Sequence, residues 1–476
     1  MKRSHSQALL PIFMLCLLLC LSGCGARQFH QDQELIDLQV YQPEKVYIGA
    51  ILPQSGEDQQ LGKNWQAAME VAADIINNSH DIDWDVARST GIANYGNAQV
   101  ELVFGDCESN DMRTSGVADK ILNLGVVAMV GAGRSEYTAM VGSRCRTADV
   151  ALVSGCANSP ALTDGETYTF GQWFNRISPN PEMESDLFFA YIKHLNQTQN
   201  ANIKTLGVAY QNTVHSLRTL DVFYEKAAEA GLEILVSVGY NAMPENVTVE
   251  TSRIVTAAPD VVVHIGEEGD AAMFLDGYVA AQYKPKLMLC YFGGYEDEAL
   301  VEAVTRLGVN YVVGFSVSPE LAPKNAPADE DSSSEPLSGN NAKSNSGSKT
   351  TVPGNSFTLN ASQDEENTVS VQPVEVEGYN EIFPYIDNLY YQRTGQHMNG
   401  EALLEFSSVV VLAQAIGKCG SADRQLLQSV LKDNVFEAPY FFSGSVDFDE
   451  LGQNIVMNGY LSTIDAEGRM VQVFKQ

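Results

Sequence analysis

Residues able to grip a charged small molecule stand at the ends of apolar runs, and Ser135 is the first of them. It follows the apolar run 126–130 and Gly131-Ala132-Gly133-Arg134, and a helical pattern through Met140 opens beside it. A serine hydroxyl at a helix N-terminus, with unpaired N–H groups and the positive end of the dipole around it, suits an anion. It equally suits the plainer task of capping the helix. Two acidic stretches, Gly266-Glu267-Glu268 and Gly294-Tyr295-Glu296-Asp297, also close apolar runs. Their carboxylates could meet a cation, Glu296 first and Glu267 second, although acidic loop residues are commonly just solvated. His215 could meet an acidic ligand, but a lone histidine is more often structural or on the surface.

Bond-making chemistry finds no such footing. A dinucleotide fingerprint would need a third glycine where Glu136 stands, and that carboxylate would repel a pyrophosphate. A phosphate-binding loop is missing as well, because Gly62-Lys63 is followed by Asn64. No G-x-S-x-G elbow, zinc motif or convincing triad occurs. The expectation is a binding protein rather than an enzyme, with no catalytic residue, cofactor or metal.

The elements that position these residues begin at 46–77. Val46, Ile48, Ala50, Ile51 and Leu52 form a near-continuous apolar run, as in a strand buried on both faces of a parallel sheet. A polar loop, 54–62, follows. Trp65, Met69, Ala72 and Ile76 then recur at spacings of four, three and four, which lines one face of a helix. Alternating strand and helix patterns continue, with strands expected at 100–104, 126–130, 151–153, 206–210, 233–240, 261–265 and 287–292. That alternation predicts an α/β fold of doubly wound sheets whose ligand loops lie at the carboxyl ends of the strands. A length of 476 residues with 45% hydrophobic content is too much for one ordinary domain and enough for two cores.

Ile48-Gly49, Pro53, Ser55-Gly56, Gly62 and the alanine-rich helix ending Ile75-Ile76-Asn77 resemble the opening of the type I periplasmic binding proteins, the branched-chain amino-acid binding protein family. The resemblance continues along most of the chain and implies two lobes, each a doubly wound, mostly parallel sheet, joined by three hinge crossings. Lobe 1 would comprise 46–177 and 316–452, and lobe 2 178–315 and 453–476, with 311–316 returning the chain to the first lobe. In the family a ligand carboxylate is held by backbone N–H groups and a serine hydroxyl, and its ammonium by a carboxylate. Carried onto this chain, that implies ligand contacts from Ser55, Ser135, Ala157, Asn158, Glu267, Tyr295 and Glu296. Ser154-Gly155-Cys156-Ala157-Asn158-Ser159-Pro160 resembles the family's ligand loop, with Asn158 where threonine is common. Leu61 departs from a position that is often aromatic, and 211–216 lacks the usual aspartate and tyrosine-glycine. The implied function is delivery of a small polar ligand, an amino acid or related compound, to an ABC permease. The alternative is a regulatory or structural envelope lipoprotein that reuses the fold, such as an activator of cell-wall synthesis. Such a protein would be expected to carry a helical domain first, and only about 20 residues separate Cys24 from Val46.

Lys2 and Arg3 precede a short apolar segment that reads as a secretory signal, 1–23. Leu21-Ser22-Gly23-Cys24 resembles a bacterial lipobox, which implies lipidation of Cys24, a tether at 24–45, and a site on a membrane facing the periplasm or exterior. The other readings are an ordinary signal peptide cut nearby and a short membrane anchor. A net charge of −31 opposes nucleic acid, and opposes adhesion to anionic lipid through the protein's own charge. Residues 322–376, rich in Ser, Asn, Asp, Glu and Pro, are expected to be a disordered insertion, either inert or partner-binding. Cys107, Cys145, Cys156, Cys290 and Cys419 are an odd number beyond Cys24. The resemblance implies a disulfide from Cys107 to Cys145, or else to Cys156; the remaining reading is that all five are small buried apolar groups.

Overall fold

From Ile48 onward every side chain of Lys45–Leu52 (β1) is buried, as a strand covered on both faces requires. Gln59–Asn77 (α1) follows it and turns Gly62, Trp65, Met69, Ala72 and Ile76 inward. The computed structural model describes residues 43–476, other than 242–243, 267–268, 292–297, 318–368, 375–380, 457–458, 466–467 and 476. Cys24 with its signal segment and all but the last three residues of the 24–45 tether, most of the 322–376 insertion, and Glu267, Tyr295 and Glu296 lie outside those residues.

β1 lies second in a five-stranded parallel sheet with Gln99–Asp106 (β2), Ala128–Gly131 (β3), Ala151–Ser154 (β4) and Phe174–Arg176 (β5), in the order β2-β1-β3-β4-β5 with β3 at the centre. Ile48 is level with Leu102 on one side and Ala128 on the other. Asp111–Leu122 (α2) and Ser135–Thr147 (α3) are crossover helices. Because the chain winds outward from β1 to β2 and then back to β3, the loops leaving β1 and β3 part. The crevice between them is where such sheets take ligands.

The second sheet repeats this device. Pro181–Thr198 (α4) leads to Thr205–Gln211 (β6), Val214–Glu229 (α5), Glu233–Tyr240 (β7), Thr248–Ala257 (α6), Val261–Ile265 (β8), Asp270–Ala280 (α7), Leu287–Cys290 (β9), Glu298–Leu307 (α8) and Val312–Ser316 (β10). The parallel order is β7-β6-β8-β9-β10, so the winding reverses between β6 and β8. Three helices, Ile382–Thr394 (α9), Gly400–Cys419 (α10) and Arg424–Asp433 (α11), then join the first sheet's side, followed by the hairpin Phe436–Ala438 (β11) and Gly444–Val446 (β12). Tyr460–Ile464 (β13) and Met470–Phe474 (β14) finally extend the second sheet antiparallel beyond β10. α10 is long and apolar enough to cross a membrane, yet most of it is buried inside the protein, against α1, β3 and β4.

Three expectations are corrected. Residues 311–316 do not carry the chain back to the first lobe: Val312–Ser316 is β10, wholly buried, with Gly314 level with Cys290 on one side and Ser462 on the other. The return comes after it, where the Phe442 amide donates to the Val317 carbonyl at 3.2 Å. The disulfide from Cys107 to Cys145 or Cys156 is absent, and all three are free and buried. Cys107 and Cys145 pack as small apolar groups with Ile51, Met129 and Leu152, and burial pushes the Cys107 thiol up to about 11. The insertion also has an ordered end. Val369 and Val371 are buried, the Ser370 amide and carbonyl each pair with the Gln199 side chain at 2.9 Å, and the Val374 amide donates to Gln472 of β14. Two valines spaced to face one way are enough to dock an extended segment on a lobe, which the polar composition around them obscured.

Candidate ligand-binding cleft

The loop after β1 is fastened to the end of β2. Asp106 accepts from the Gln54 amide at 2.9 Å, the Ser55 amide at 3.2 Å, the Ser55 hydroxyl at 2.7 Å and the Glu108 amide at 2.7 Å. Burial works to raise its pKa, but the Ser55 hydroxyl and the amides outweigh burial and hold the carboxyl below its ordinary value. Ser55 thus commits its hydroxyl hydrogen to bracing its own loop. A second brace joins this loop to the one after β3: Asp58, nearly buried, pairs with Arg134 at 2.7 Å and accepts from the Tyr137 hydroxyl at 2.8 Å.

Ser135 opens α3, but it does not cap it. The N-cap is Arg134, with extended backbone and no side-chain cap bond. The Ser135 hydroxyl oxygen accepts instead from the amide of Ser159 in the loop after β4, at 3.1 Å. That bond uses a lone pair and leaves the hydroxyl hydrogen to be donated elsewhere. Ala157 is buried and its carbonyl accepts from the Ser178 hydroxyl at 2.9 Å. Asn158, between these two anchored residues, is half-buried, and its side chain makes no hydrogen bond to a described residue. The sheet therefore gathers Ser55, Ser135, Ala157 and Asn158 at one end, with Ser135 and Asn158 as the side chains that have hydrogen-bonding capacity left.

Behind these loops lies a residue that sequence reasoning missed. Glu405, on α10, is fully buried; its Oε1 accepts from the Cys156 amide at 3.1 Å and lies 3.3 Å from the Cys156 thiol, while Oε2 has no hydrogen-bond partner among the described residues. A Cβ at position 155 would come within 2.5 Å of that carboxyl carbon, so Gly155 is what admits the carboxyl there. Burial raises its pKa to about 7, with the surrounding amides and the thiol only partly offsetting it. Helical periodicity gives no signal for this placement, because Glu405 falls on an otherwise apolar face.

In the second lobe the reversal point between β6 and β8 holds a buried polar pair. Gln211, the last residue of β6, donates from Nε2 to Asp270 Oδ2 at 3.0 Å, and Asp270 is the first residue of α7 after β8. Both are almost fully buried. His215, in the first turn of α5, is buried beside the same strand ends. His264 sits 3.2 Å from the Tyr240 hydroxyl, and burial lowers its pKa to about 3, so it is a neutral imidazole. Asp270 is the second residue that sequence reasoning missed, with attention drawn instead to Glu267 and Glu296. The signal was present: an aspartate opening a helix, directly after the loop that ends a buried strand.

The two lobes touch beside these loops. α5 packs against the turn Pro160–Leu162 of the first lobe; burial works to raise the pKa of Asp164 there, but hydrogen bonds from Thr167 and the Glu166 amide, and after them the Arg218 charge on α5, hold the carboxyl below its usual range. A model of periplasmic binding proteins matches residues 45–332 of this sequence, more than half of it. The chain belongs to the periplasmic binding protein family. Among relatives it is similar to Leu/Ile/Val-binding protein homolog 8 of Brucella abortus, 27% identical over 272 residues, covering 54% of this chain. The chain spans about 61% of the length of that relative. Among solved structures of family-like fold it is similar to a leucine-binding protein, LivK, of Thermotoga maritima, with TM-score 0.62, 15% identity, and 90% of this chain and 99% of that one covered. A branched-chain amino-acid binding protein, LivJ, of Streptococcus pneumoniae, solved with isoleucine, gives TM-score 0.62 and 15% identity over 91% of this chain and 100% of that one. A solute-binding protein of Rhodopseudomonas palustris, solved with 3,4-dihydroxybenzoic acid, gives TM-score 0.62 and 15% identity over 91% and 97%. At such identities these likenesses establish the type I periplasmic-binding-protein fold.

Proposed function

We propose that this protein is a non-enzymatic solute-binding lipoprotein that closes its lobes on a zwitterion of the amino-acid class and delivers it to an ABC importer. The observation that carries this reading is the pairing of two reversal points with opposite electrostatic preference. On one side are the Ser135 hydroxyl, the amides beginning α3 and the Asn158 side chain; on the other is the Asp270 carboxylate, already oriented by Gln211. The first set suits a carboxylate and the second an ammonium. Contacts from both lobes to one ligand exist only when the lobes are shut, so binding shifts the population toward closure. The amino-acid ligand of one structural neighbour and the aromatic acid of another support a carboxylate as the shared feature of the ligand.

Calorimetry against a panel of amino acids and aromatic acids tests this reading. Wild type should bind at least one amino acid. Asp270→Asn should weaken that binding by about a hundredfold, because a desolvated ammonium loses its charged partner, and Ser135→Ala should weaken it by about tenfold. No binding to any member, or undiminished binding by Asp270→Asn, would reject the zwitterion assignment. The lipid anchor is proposed from the lipobox alone: Cys24→Ser should move the protein from the membrane to the soluble fraction, and unchanged fractionation would dispose of it.

A further inference from the structure

The first and last described crossings between the lobes meet around one buried cation. Arg176, the last residue of β5, is fully buried, and among the described residues no carboxylate lies within ion-pair distance of it. Burial lowers its pKa to about 9, with Asp449 opposing, so the guanidinium remains charged at neutral pH. A buried charge with no counter-ion is costly unless neutral oxygens surround it. Here they do. Nε donates to Gln453 Oε1 at 2.9 Å, one terminal nitrogen donates to the Ser159 carbonyl at 2.6 Å, and the other donates to the Thr163 hydroxyl at 2.6 Å and also to Gln453 Oε1.

These partners are not a random set of acceptors. Gln453 belongs to the last crossing, bridges Arg176 in the backbone, and donates from Nε2 to the Ser178 carbonyl at 3.0 Å. Ser178 in turn donates its hydroxyl to the Ala157 carbonyl. Ser159 presents its carbonyl to Arg176 and its own amide to the Ser135 hydroxyl oxygen. Asn158 is thus held between two neighbours that are each bonded back to the crossings. A hydrophobic residue of similar volume at position 176 would fill the space without making any of these links.

We propose that Arg176 is a positioning residue for the ligand-facing hydroxyl of Ser135, acting through Ser159, and that it locks the ligand loop to the last interlobe crossing through Gln453. By fixing Ser159, it keeps that amide on the lone pair of Ser135, so the hydroxyl hydrogen is left to point at an anion. The loop and the crossings then move as one body when the lobes open and close. The part played by Ser135 toward a ligand rests on the function proposed above, whereas the lock itself does not.

Amide hydrogen exchange on the whole ligand-free protein tests the lock without any ligand. In Arg176→Met the Ser159 amide should exchange at least about tenfold faster while β1 amides change by less than about twofold, the loss of the charged hydrogen bond to the Ser159 carbonyl acting locally. Ser135→Ala should produce a similar local acceleration, and adding Arg176→Met to it should give much less than the product of the two. If Arg176→Met fails to fold, Arg176→Lys takes its place, since an ammonium cannot reach Ser159 and Gln453 together and should show the same local change. Unchanged Ser159 protection, multiplicative effects, or acceleration spread evenly over both lobes would overturn the proposal. A ligand panel that yields no binding would defeat the zwitterion reading and leave this exchange result standing.

Discussion

Glu405→Gln is expected to erase a pH dependence of stability that the wild-type protein shows between about pH 4.5 and pH 7. The wild-type carboxyl has its pKa raised from 4.5 in the unfolded chain to about 7 in the fold. Between those values the folded state holds a proton that the unfolded state has released, so stability falls as pH rises and levels off above the folded value. The span corresponds to roughly 3 kcal/mol. The titratable group in contact with the carboxyl is the Cys156 thiol, itself shifted up by burial, then by Glu405 and by Glu401 one turn back on α10. That thiol stays protonated across the window and does not mask the effect. Denaturant unfolding of both proteins at pH 5, 6, 7 and 8 measures it, since other titrations cancel in the difference. A wild-type-minus-variant difference that does not change with pH would show that Glu405 is not the group responsible.

Gly452→Ala is expected to cost about 3 kcal/mol or more, near the upper end for a single added methyl group. Its φ is +86°, and a Cβ there would lie 2.0 Å from the Phe174 carbonyl oxygen and 2.9 Å from its carbon. Neither atom can yield as a flexible side chain would. Both belong to the backbone of β5, which is fixed in turn by the Arg176 amide donating to the Gly452 carbonyl at 2.7 Å. The unfolding midpoint in denaturant reads the loss directly. A drop of less than about 1 kcal/mol would mean that the two crossings can slide apart without penalty.

What the sequence reveals and conceals follows from the range of the interactions involved. The β1–loop–α1 unit is legible because its pattern is local: a continuous apolar run, then Trp65, Met69, Ala72 and Ile76 on one helix face. Ser135 is legible for the same reason, as it stands at a strand-to-helix junction. Glu405 is not, because its partner Cys156 is 249 positions away and nothing in α10 announces that one face meets a loop. Arg176 and Gln453, 277 positions apart, are hidden likewise. Asp270 was overlooked for a different reason: Glu267 and Glu268 beside it carry the same charge, and the bond that ties Asp270 to Gln211, 59 positions away, has no local signature. The misplacement of 311–316 has a similar origin, since an apolar five-residue run reads alike as a crossing or as a central strand until its neighbours are known.

The free cysteines have a consequence for how this protein would age and be monitored. Cys107, Cys145, Cys156 and Cys290 are sealed from solvent in the folded chain, and Cys419 is only half-covered. Burial also keeps their sulfurs in the thiol form, which reacts poorly with oxidants and alkylating agents. Damage at the sealed four must therefore wait for the chain to open, so in an oxidising medium the hazardous interval is the one before folding is complete. A labelling reagent added to the native protein would mark those four positions only as fast as their surroundings unfold, and their order of labelling would record which layer lets go first.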